Sequence, residues 1–387
     1  MTERDTADYE ESEGIAIASG KSAIERAPWL HDRTLEKSRG FFYELKENNV
    51  VHPGWFAVHT VDGVGTKLFF TPWSGNFRVQ SIDGVAMCAN DLAPALHAFP
   101  DAINLYFAMQ TQVEEQHMGE IMHGFVEALE RIRLPNSPFN VNIGKIETAS
   151  LDEMISLGVP NKGWDVGVVI SGYISKDKVP NLNPKPGNFI VGVSSTGMHS
   201  NGYTGARHVL LTPAVEYRDE WKGQYRGRFQ LTDRPEILEG KSLVEALQVP
   251  TALYLLEAHM VGQEFDNRDV YGVNITGNGL HNFNRAGKGV SFEIEDSLEP
   301  LPIHRLLMDE SGWDLETAYK KQNMGMGFAY VVPDRVMANE IVALINGRGE
   351  NTAKVIGRVD RLRDGESDLR TTLHLSDGSL NFVGYSN

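Results

Sequence analysis

The sequence predicts a mixed fold of the α/β (α+β) class, divided into two domains. Two observations lead to this prediction. Predicted strands alternate with predicted helices along the chain, and 387 residues with 41% hydrophobic content suffice for two hydrophobic cores. The apolar runs are short and are interrupted by glycine, aspartate or proline, so we expect no membrane span. We find no short-period repeat and no low-complexity tract.

The first half of the chain follows a polar N-terminal arm, in which a helix is predicted over 34–48. Apolar periodicity then predicts a strand over 56–63, a helix over 82–98, a strand over 102–109 and an amphipathic helix over 114–133. A Pro-Asn-Lys-Gly turn precedes the apolar strand WDVGVVISGYI, which begins at Trp164. We place the domain boundary at this turn, which gives domains over 1–164 and 165–387.

The second half begins with a predicted strand over 189–193, followed by a turn rich in glycine and serine and then by a helix. A further helix is predicted over 252–260. The segments NITGNGL and QNMGMGF are glycine-containing turns beside apolar strands, and the chain closes with a helix followed by a strand that ends at AKVIGRVDR.

Charge and cysteine content limit the classes of function. The chain has 36 Lys+Arg against 52 Asp+Glu, a net charge of -16, and no basic cluster, so we expect no binding to nucleic acid. Its single cysteine, Cys88, cannot form an internal disulfide, and the acidic N-terminus does not resemble a signal peptide. We therefore expect a cytoplasmic protein that acts on small molecules and binds no membrane.

The stretch VDGVGTK ends the predicted strand over 56–63. It is not a Walker A loop, and Leu68 stands where a third glycine would complete a dinucleotide fingerprint. An Asp-Gly hairpin turn is one interpretation. The other is a ligand site, in which Asp62 offers an oxygen to a divalent cation and Lys67 a positive charge to a phosphate. The residues available to a phosphate here are Asp62, Gly63, Gly65, Thr66 and Lys67.

The stretch SIDGVAMCANDL places oxygen-bearing side chains at helical spacing. Asp83, Asn90 and Asp91 lie at i, i+7 and i+8, on one side of the predicted helix. One or two carboxylates with phosphate oxygens and water commonly hold Mg²⁺, so this strip is a candidate metal and phosphate site. Alternatively, Asp83 caps the helix while Asn90 and Asp91 face solvent.

The stretch SSTGMHSNGY lies between a predicted strand and a predicted helix. Small donors at such a position favour phosphate binding, although a plain polar connection would also account for them. The candidate residues are Ser194, Ser195, His199, Ser200 and Asn201, with weaker candidates at Thr276, Asn278 and Asn323. At GKIET, by contrast, an exposed pair of Lys145 with Glu147 is the favoured interpretation.

Taken in order, these segments resemble the phosphoribosylformylglycinamidine cyclo-ligase family, also called aminoimidazole ribonucleotide synthetase. The matching segments are DGVGTK, IDGVAMCANDL, SSTGMHSNGY, ITGNGL, NMGMGF and VIGRV, which together span 62–359. The resemblance implies an N-terminal sheet with helices that forms a homodimer, and a C-terminal α/β sandwich domain. The N-terminal domain would bind ATP and Mg²⁺, and the C-terminal domain the phosphate of the substrate.

The resemblance also implies a reaction and roles for residues. ATP would phosphorylate the formyl amide oxygen of formylglycinamidine ribonucleotide, after which an amidine nitrogen closes the imidazole ring and phosphate departs. The implied metal ligands are Asp62, Asp83 and Asp91, and the implied catalytic residues are Lys67, His199 and Asp83. The implied contacts to ATP or phosphate are Asp62, Gly63, Gly65, Thr66, Lys67, Asn90, Asp91, Ser194, Ser195, Ser200, Asn201, Thr276, Asn278 and Asn323.

Three segments depart from the family pattern: SRGFFYELKENN, GKIETAS and TGNG. Two alternatives therefore stay open, another ATP-using enzyme of the superfamily, such as a thiamine-monophosphate kinase, and a non-catalytic nucleotide-binding paralogue. Selenophosphate synthetase and the hydrogenase maturation factor are disfavoured, because the former needs an N-terminal reactive cysteine and the latter a C-terminal cysteine, whereas this chain ends in NFVGYSN.

Overall fold

The computed structural model describes residues 44–47, 52–110, 115–157, 159–160, 162–366 and 369–384. Its strands are β1 Glu44–Glu47, β2 Trp55–Gly63, β3 Phe99–Met109, β4 Asn142–Ser150, β5 Trp164–Ser175, β6 Phe189–Ser194, β7 Tyr271–Asn274, β8 Val290–Ile294, β9 Met326–Val332, β10 Ala353–Arg361, β11 Leu369–Leu375 and β12 Gly378–Val383. Its helices are α1 Thr71–Ser74, α2 Val79–Leu92, α3 Glu115–Arg131, α4 Tyr203–Leu210, α5 Asp219–Lys222, α6 Leu243–Leu247, α7 Leu255–Phe265, α8 Pro302–Ser311, α9 Leu315–Lys321 and α10 Arg335–Arg348. These elements confirm the mixed α/β class.

The first sheet has the strand order β1-β2-β5-β3-β4. Strand β5 alternates strictly between buried and half-buried residues, because α2 and α3 cover one face of the sheet. The two helices pack closely at Gly124, where an added Cβ would lie 2.4 Å from the carbonyl oxygen of Arg78. Ser81 Oγ also donates to the carbonyl oxygen of Ile121 at 2.8 Å.

The first sheet corrects two predictions. Strand β5 lies between β2 and β3, so the predicted boundary at 164/165 is wrong, and the division between the sheets falls after Ser175. The predicted helix over 34–48 is wrong over its described part, where Glu44–Glu47 is a strand antiparallel to β2; residues 34–43 lie outside the described residues. Backbone pairing with β2 overrides the good local helix propensity of Glu-Leu-Lys-Glu.

The second sheet has the order β12-β11-β8-β10-β6-β9-β7. One hydrophobic core is continuous between the two sheets, since it contains Val166 and Val168 of β5 together with Val191 of β6 and Phe328 of β9. Helices α7 and α10 contribute to the same core. A second core covers the other face of this sheet. The domain interface is therefore a packed interior.

Two helices differ from their predicted bounds. Helix α2 ends at Leu92 and the chain continues as a short 3-10 turn, because Pro94 cannot donate the backbone hydrogen bond that an α-helix requires. The helix predicted over 252–260 begins only at Leu255. None of the helices in the described residues has both the length and the apolar character needed to cross a membrane.

Candidate functional site

Asp62 lies at the end of β2, where the chain leaves the first sheet. Its Oδ1 accepts a hydrogen bond from the backbone N–H of Gly63 at 2.7 Å. The chain then forms a 3-10 helix over Gly65–Phe70, with Gly65 in the left-handed region at a φ of 67°, so the hairpin interpretation is wrong. Thr66 Oγ1 lies 3.2 Å from Oγ1 of Thr204 in α4. This turn therefore faces the second domain.

Asp91 lies near the end of α2, where its charge and that of Asp62 interact. Burial raises the pKa of Asp91 to about 7, and the charge of Asp62 adds to this shift. A hydrogen bond from Asn274 Nδ2 at 2.8 Å and the charge of Arg285 oppose it. Burial likewise raises the pKa of Asp62, opposed by the Gly63 hydrogen bond. The two neighbouring carboxylates thus form an electrostatically costly arrangement.

Asn274 contacts Asp91, and polar side chains close to these residues in the chain contact one another across the domains. Thr276 Oγ1, two residues beyond Asn274, lies 3.5 Å from Oδ1 of Asn201. Asn201 in turn lies three residues before Thr204, which contacts Thr66. We call this set the polar ring, and its members are Asp62, Thr66, Asp91, Asn201, Thr204, Asn274 and Thr276. The structure therefore brings together the turns after β2, α2, β6 and β7.

Lys67 and Asp83, predicted to touch phosphate and metal, form a buried ion pair with each other. Lys67 Nζ lies 2.8 Å from Asp83 Oδ1, and both side chains are 0% exposed. Lys67 also donates to the carbonyl oxygen of Val249 at 2.7 Å. Asp83 Oδ1 further accepts the N–H and the hydroxyl of Thr251, at 2.7 and 2.6 Å. These contacts give the pair a structural role, and its predicted direct roles in binding metal and phosphate stay predictions.

The Lys67–Asp83 pair contacts the second domain, and its burial shifts the pKa of Lys67. Burial lowers the pKa of Lys67, and the nearby Asp83 carboxylate opposes that shift. Asp83 lies within α2, which begins at Val79, so the alternative that it caps the helix is also wrong. Since an unpaired buried charge is costly, each member of the pair depends on the other.

Asn90, predicted to contact phosphate, binds backbone. Its Nδ2 donates to the carbonyl oxygen of Ala252 at 2.7 Å, and its Oδ1 accepts the N–H of Tyr254 at 2.9 Å. Together with Lys67 and Asp83 it holds residues 249–254, which we call the bridging segment. The sequence VPTALY offers no charged or glycine signal, because this segment is bound through its backbone and one hydroxyl.

Polar groups of the turn over 194–202 hold it in place by binding other parts of the second domain. Ser194 Oγ accepts the N–H of Thr352 at 3.0 Å, and Ser195 Oγ donates to Asn323 Oδ1 at 2.9 Å. Asn323 Nδ2 donates to the carbonyl oxygen of Gly197 at 2.9 Å. Ser200 Oγ lies 3.2 Å from Thr251 Oγ1. Among the predicted residues of this turn, Asn201 is the one in the polar ring.

His199 is buried within the same turn, in the left-handed region at a φ of 59°. Its Nε2 accepts the N–H of Thr196 at 3.4 Å. Gly327 leaves the space that His199 fills, since an added Cβ there would lie 2.4 Å from His199 Cε1. Burial, with smaller contributions from Lys67 and His304, lowers the pKa of His199 to about 3, so the imidazole is neutral at neutral pH.

The remaining predicted residues lie at the edges of this region. Asn278 adopts a φ of 74° and precedes the 3-10 helix Gly279–Arg285, so its backbone position accounts for the departure TGNG. Lys145 Nζ lies 2.9 Å from Glu147 Oε2 with both side chains exposed, which confirms the interpretation of GKIET as a surface ion pair. Most of the departing segment SRGFFYELKENN lies outside the described residues.

Comparison with known proteins covers both domains. Residues 46–159 match the N-terminal domain of AIR synthase related proteins, and residues 185–369 match the C-terminal domain. Phosphoribosylformylglycinamidine cyclo-ligase of Methanosarcina barkeri is 31% identical over 307 residues, covering 79% of this chain and 81% of that protein. The cyclo-ligase of Methanocaldococcus jannaschii is 29% identical over 306 residues, covering 79% and 78%.

Solved structures share the fold at low identity. Hydrogenase maturation protein HypE of E. coli has a TM-score of 0.54 at 15% identity and covers 86% of each chain. The complex of AaThiL with AMPPCP and TMP has a TM-score of 0.54 at 11% identity, covering 89% of this chain and 92% of that chain. These likenesses show the fold.

Proposed function

The chain belongs to the family of AIR synthase related proteins, and from that premise we propose that it is an ATP-dependent cyclo-ligase. It would convert formylglycinamidine ribonucleotide to aminoimidazole ribonucleotide, the reaction of purine biosynthesis for which its curated relatives are named. One structural observation supports the proposal above the others: the charges of Asp62 and Asp91 interact, and polar side chains close to them in the chain join the two domains.

The donor set at this pair fits a divalent cation. Neighbouring carboxylates with raised pKa values repel each other, and a hard cation between them removes that repulsion. We propose Asp62 and Asp91 as the protein ligands of Mg²⁺. When bound, the ion would neutralise charge on the phosphates of ATP. Within the described residues no cluster of three or more His, Cys, Asp or Glu offers a fuller ligand set, which suits an ion shared with phosphate oxygens.

The other members of the polar ring supply phosphate contacts in the proposal. The hydroxyls of Thr66, Thr204 and Thr276 and the amide of Asn201 can donate to phosphate oxygens. They come from both domains, so a nucleotide held mainly by the first domain would lie against the turn that the second domain presents. We propose that ATP is held mainly by the first domain and the ribonucleotide phosphate by the turn of the second domain.

The reaction then requires chiefly that ATP and the ribonucleotide are held in the correct position. Transfer of a phosphoryl group to the amide oxygen makes that oxygen a good leaving group; the amidine nitrogen attacks the same carbon, and phosphate leaves with the oxygen. Lys67 and Asp83 support this by fixing the bridging segment. Neutral His199 fixes the 194–202 turn through the N–H of Thr196. All three are positioning residues in this arrangement.

We also propose a homodimer formed through the first sheet. Val61 of β2 pairs with Val169 of β5, which in turn pairs with Asn104 of β3. Tyr106 lies two residues further along β3, so Val61 and Tyr106 lie on the same face of the sheet, opposite α2. Val61 is 72% exposed and Tyr106 49% exposed. Exposed apolar residues on one sheet face are typical of an interface.

The proposal is tested by incubating the purified protein with Mg²⁺, ATP and formylglycinamidine ribonucleotide and measuring ADP and aminoimidazole ribonucleotide. We expect equal amounts of both products and no ADP when the ribonucleotide is omitted. ATP binding without ribonucleotide-dependent ADP would instead support the non-catalytic alternative. Phosphate transfer to thiamine monophosphate in a parallel incubation would support the kinase alternative.

A further inference from the structure

A cavity of about 390 Å³ lies between the two domains at residues that the polar ring does not include. Its walls come from the end of α3, the bridging segment with the start of α7, the loop after α10 and Thr196 of the 194–202 turn. Leu253 and Leu256 provide an apolar surface, and Glu257 and Asn351 provide polar groups. Thr196 belongs to the 194–202 turn of the proposed site, but neither the proposed metal ligands nor the members of the polar ring line the cavity, so its ligand is a separate question.

Glu257 carries the charge of this cavity. It is 2% exposed, and the single nitrogen Nδ2 of Asn351 donates to both of its oxygens, at 3.1 and 3.0 Å. A carboxylate can accept about four hydrogen bonds, so most of its capacity is unused. Among the described residues no Lys, Arg or His nitrogen lies within 4.0 Å of it. Buried carboxylates are normally paired with a cation; the charge of Arg348 acts on Glu257, but the Arg348 guanidinium pairs with Glu350 instead.

The two other carboxylates at the cavity are paired at its surface. Glu350 forms an ion pair with Arg348 at 2.7 Å, and Glu130 lies 3.9 Å from Arg133. Arg131 also reaches the rim, where it is exposed. Its exposed position lets water screen its charge, whereas the Glu257 carboxylate is buried. An anion would meet Glu257 and is disfavoured. A bare divalent ion is also disfavoured, because it needs several oxygen ligands.

We propose that this cavity binds a small organic cation with N–H donors, an ammonium or amidinium group that pairs with Glu257 while its apolar part lies on Leu253 and Leu256. The cavity volume is sufficient for a group of a few carbon atoms beyond the charged head, since pockets for larger ligands begin at about 300 Å³. The N–H donors would satisfy the carboxylate oxygens that Asn351 leaves free.

The test uses three probes of nearly equal size on the full-length protein: n-butylammonium, n-butanol and butyrate. Binding is measured by ligand-observed NMR titration at pH 8. We expect n-butylammonium to bind at least tenfold more tightly than the neutral and anionic probes. Equal affinity for n-butylammonium and n-butanol would overturn the proposal, because it would show that the carboxylate plays no part.

Two variants test whether Glu257 is responsible for binding n-butylammonium. Glu257→Gln keeps the size of the side chain and can still accept from Asn351, and we expect it to lower the affinity for n-butylammonium at least tenfold. Glu264→Gln removes an exposed carboxylate from the same helix and should leave the affinity unchanged. Retained affinity in folded Glu257→Gln protein, checked by circular dichroism, would overturn the proposal. If this variant does not fold, the three probes on the unaltered protein decide the question.

Discussion

At the scale of single residues, the proposed function depends most on Asp62 and Asp91. We predict that Asp62→Asn and Asp91→Asn each lower kcat/KM for the cyclisation at least tenfold, a loss of about 1.4 kcal/mol of transition-state stabilisation. Each amide keeps the shape of the side chain and removes a charge that would bind the cation. The measurement is ribonucleotide-dependent ADP release over a range of Mg²⁺ concentrations.

The matched control is Asp364→Asn, at an exposed turn position far along the chain. It should retain full activity. If Asp62→Asn and Asp91→Asn also retain it at low Mg²⁺, the carboxylate pair does not hold the cation and the site assignment is wrong.

Glu257 gives a prediction that depends on pH. Burial raises its pKa to about 7, with Asn351 and Arg348 opposing and Glu350 adding to the shift. After burial, the charge of Glu257 is a further cause that raises the pKa of the hydroxyls of Tyr254 and Tyr330. Between pH 4.5 and 7 the folded protein therefore binds more protons at Glu257 than the unfolded chain, so this group lowers the free energy of unfolding as pH rises.

Glu257→Gln should remove that pH dependence. We expect its Tm to equal that of the unaltered protein near pH 4.5 and to exceed it above pH 7, by an amount corresponding to about 1–3 kcal/mol. Glu264→Gln, the exposed control, should follow the unaltered protein at every pH. A variant whose Tm difference does not change with pH would show that Glu257 titrates normally.

The residues of the site divide into those that local patterns could predict and those they could not. Asp62 and Asp91 lie near the ends of elements and Asn201 and Thr276 in turns after strands; the structure pairs Asp62 with Asp91 electrostatically and Asn201 with Thr276 by contact. Lys67 has the same local signal but is buried, because its partner in the second domain is the carbonyl oxygen of Val249. A backbone acceptor 182 positions away leaves no trace in the local sequence.

At the scale of elements, α2 joins the domains. Its Asp83 and Asn90 bind the bridging segment, and its Asp91 enters the polar ring. Lys67→Ala should destabilise the fold by about 3–5 kcal/mol, since it leaves the Asp83 carboxylate buried without its cation. We also expect turnover to fall at least tenfold, through loss of positioning. Denaturant unfolding and the ADP assay measure the two effects.

Lys145→Ala is the matched control, because it removes the same side chain from the exposed pair with Glu147. Breaking a surface ion pair should cost about 0–1 kcal/mol. Similar unfolding free energies for Lys67→Ala and Lys145→Ala would show that the buried pair does not hold the domains together.

The sequence predicts whether a segment is a helix or a strand better than it predicts the domain to which that segment belongs. The strand pattern of β5 was correct, but its place between β2 and β3 depends on pairing partners that are distant in sequence. The strand β1 was missed because Glu, Leu and Lys favour helices, and its ladder with β2 decides its conformation. Local periodicity cannot supply either pairing.

At the scale of the whole molecule, the exposed face of the first sheet predicts the oligomeric state. We expect a homodimer in analytical ultracentrifugation. Val61→Asp should shift it to monomers, because a charge at a 72% exposed valine on this face would be buried in the dimer. Val336→Asp, at a 67% exposed valine on α10, should leave the dimer intact. Dimers that survive Val61→Asp would place the interface elsewhere.

The most direct test of the central claim is a crystal structure of the protein with Mg²⁺ and a non-hydrolysable ATP analogue. The account predicts an ion coordinated by oxygens of Asp62 and Asp91 at about 2.0–2.1 Å, with the terminal phosphates inside the polar ring. A nucleotide bound with its metal away from both carboxylates would contradict it.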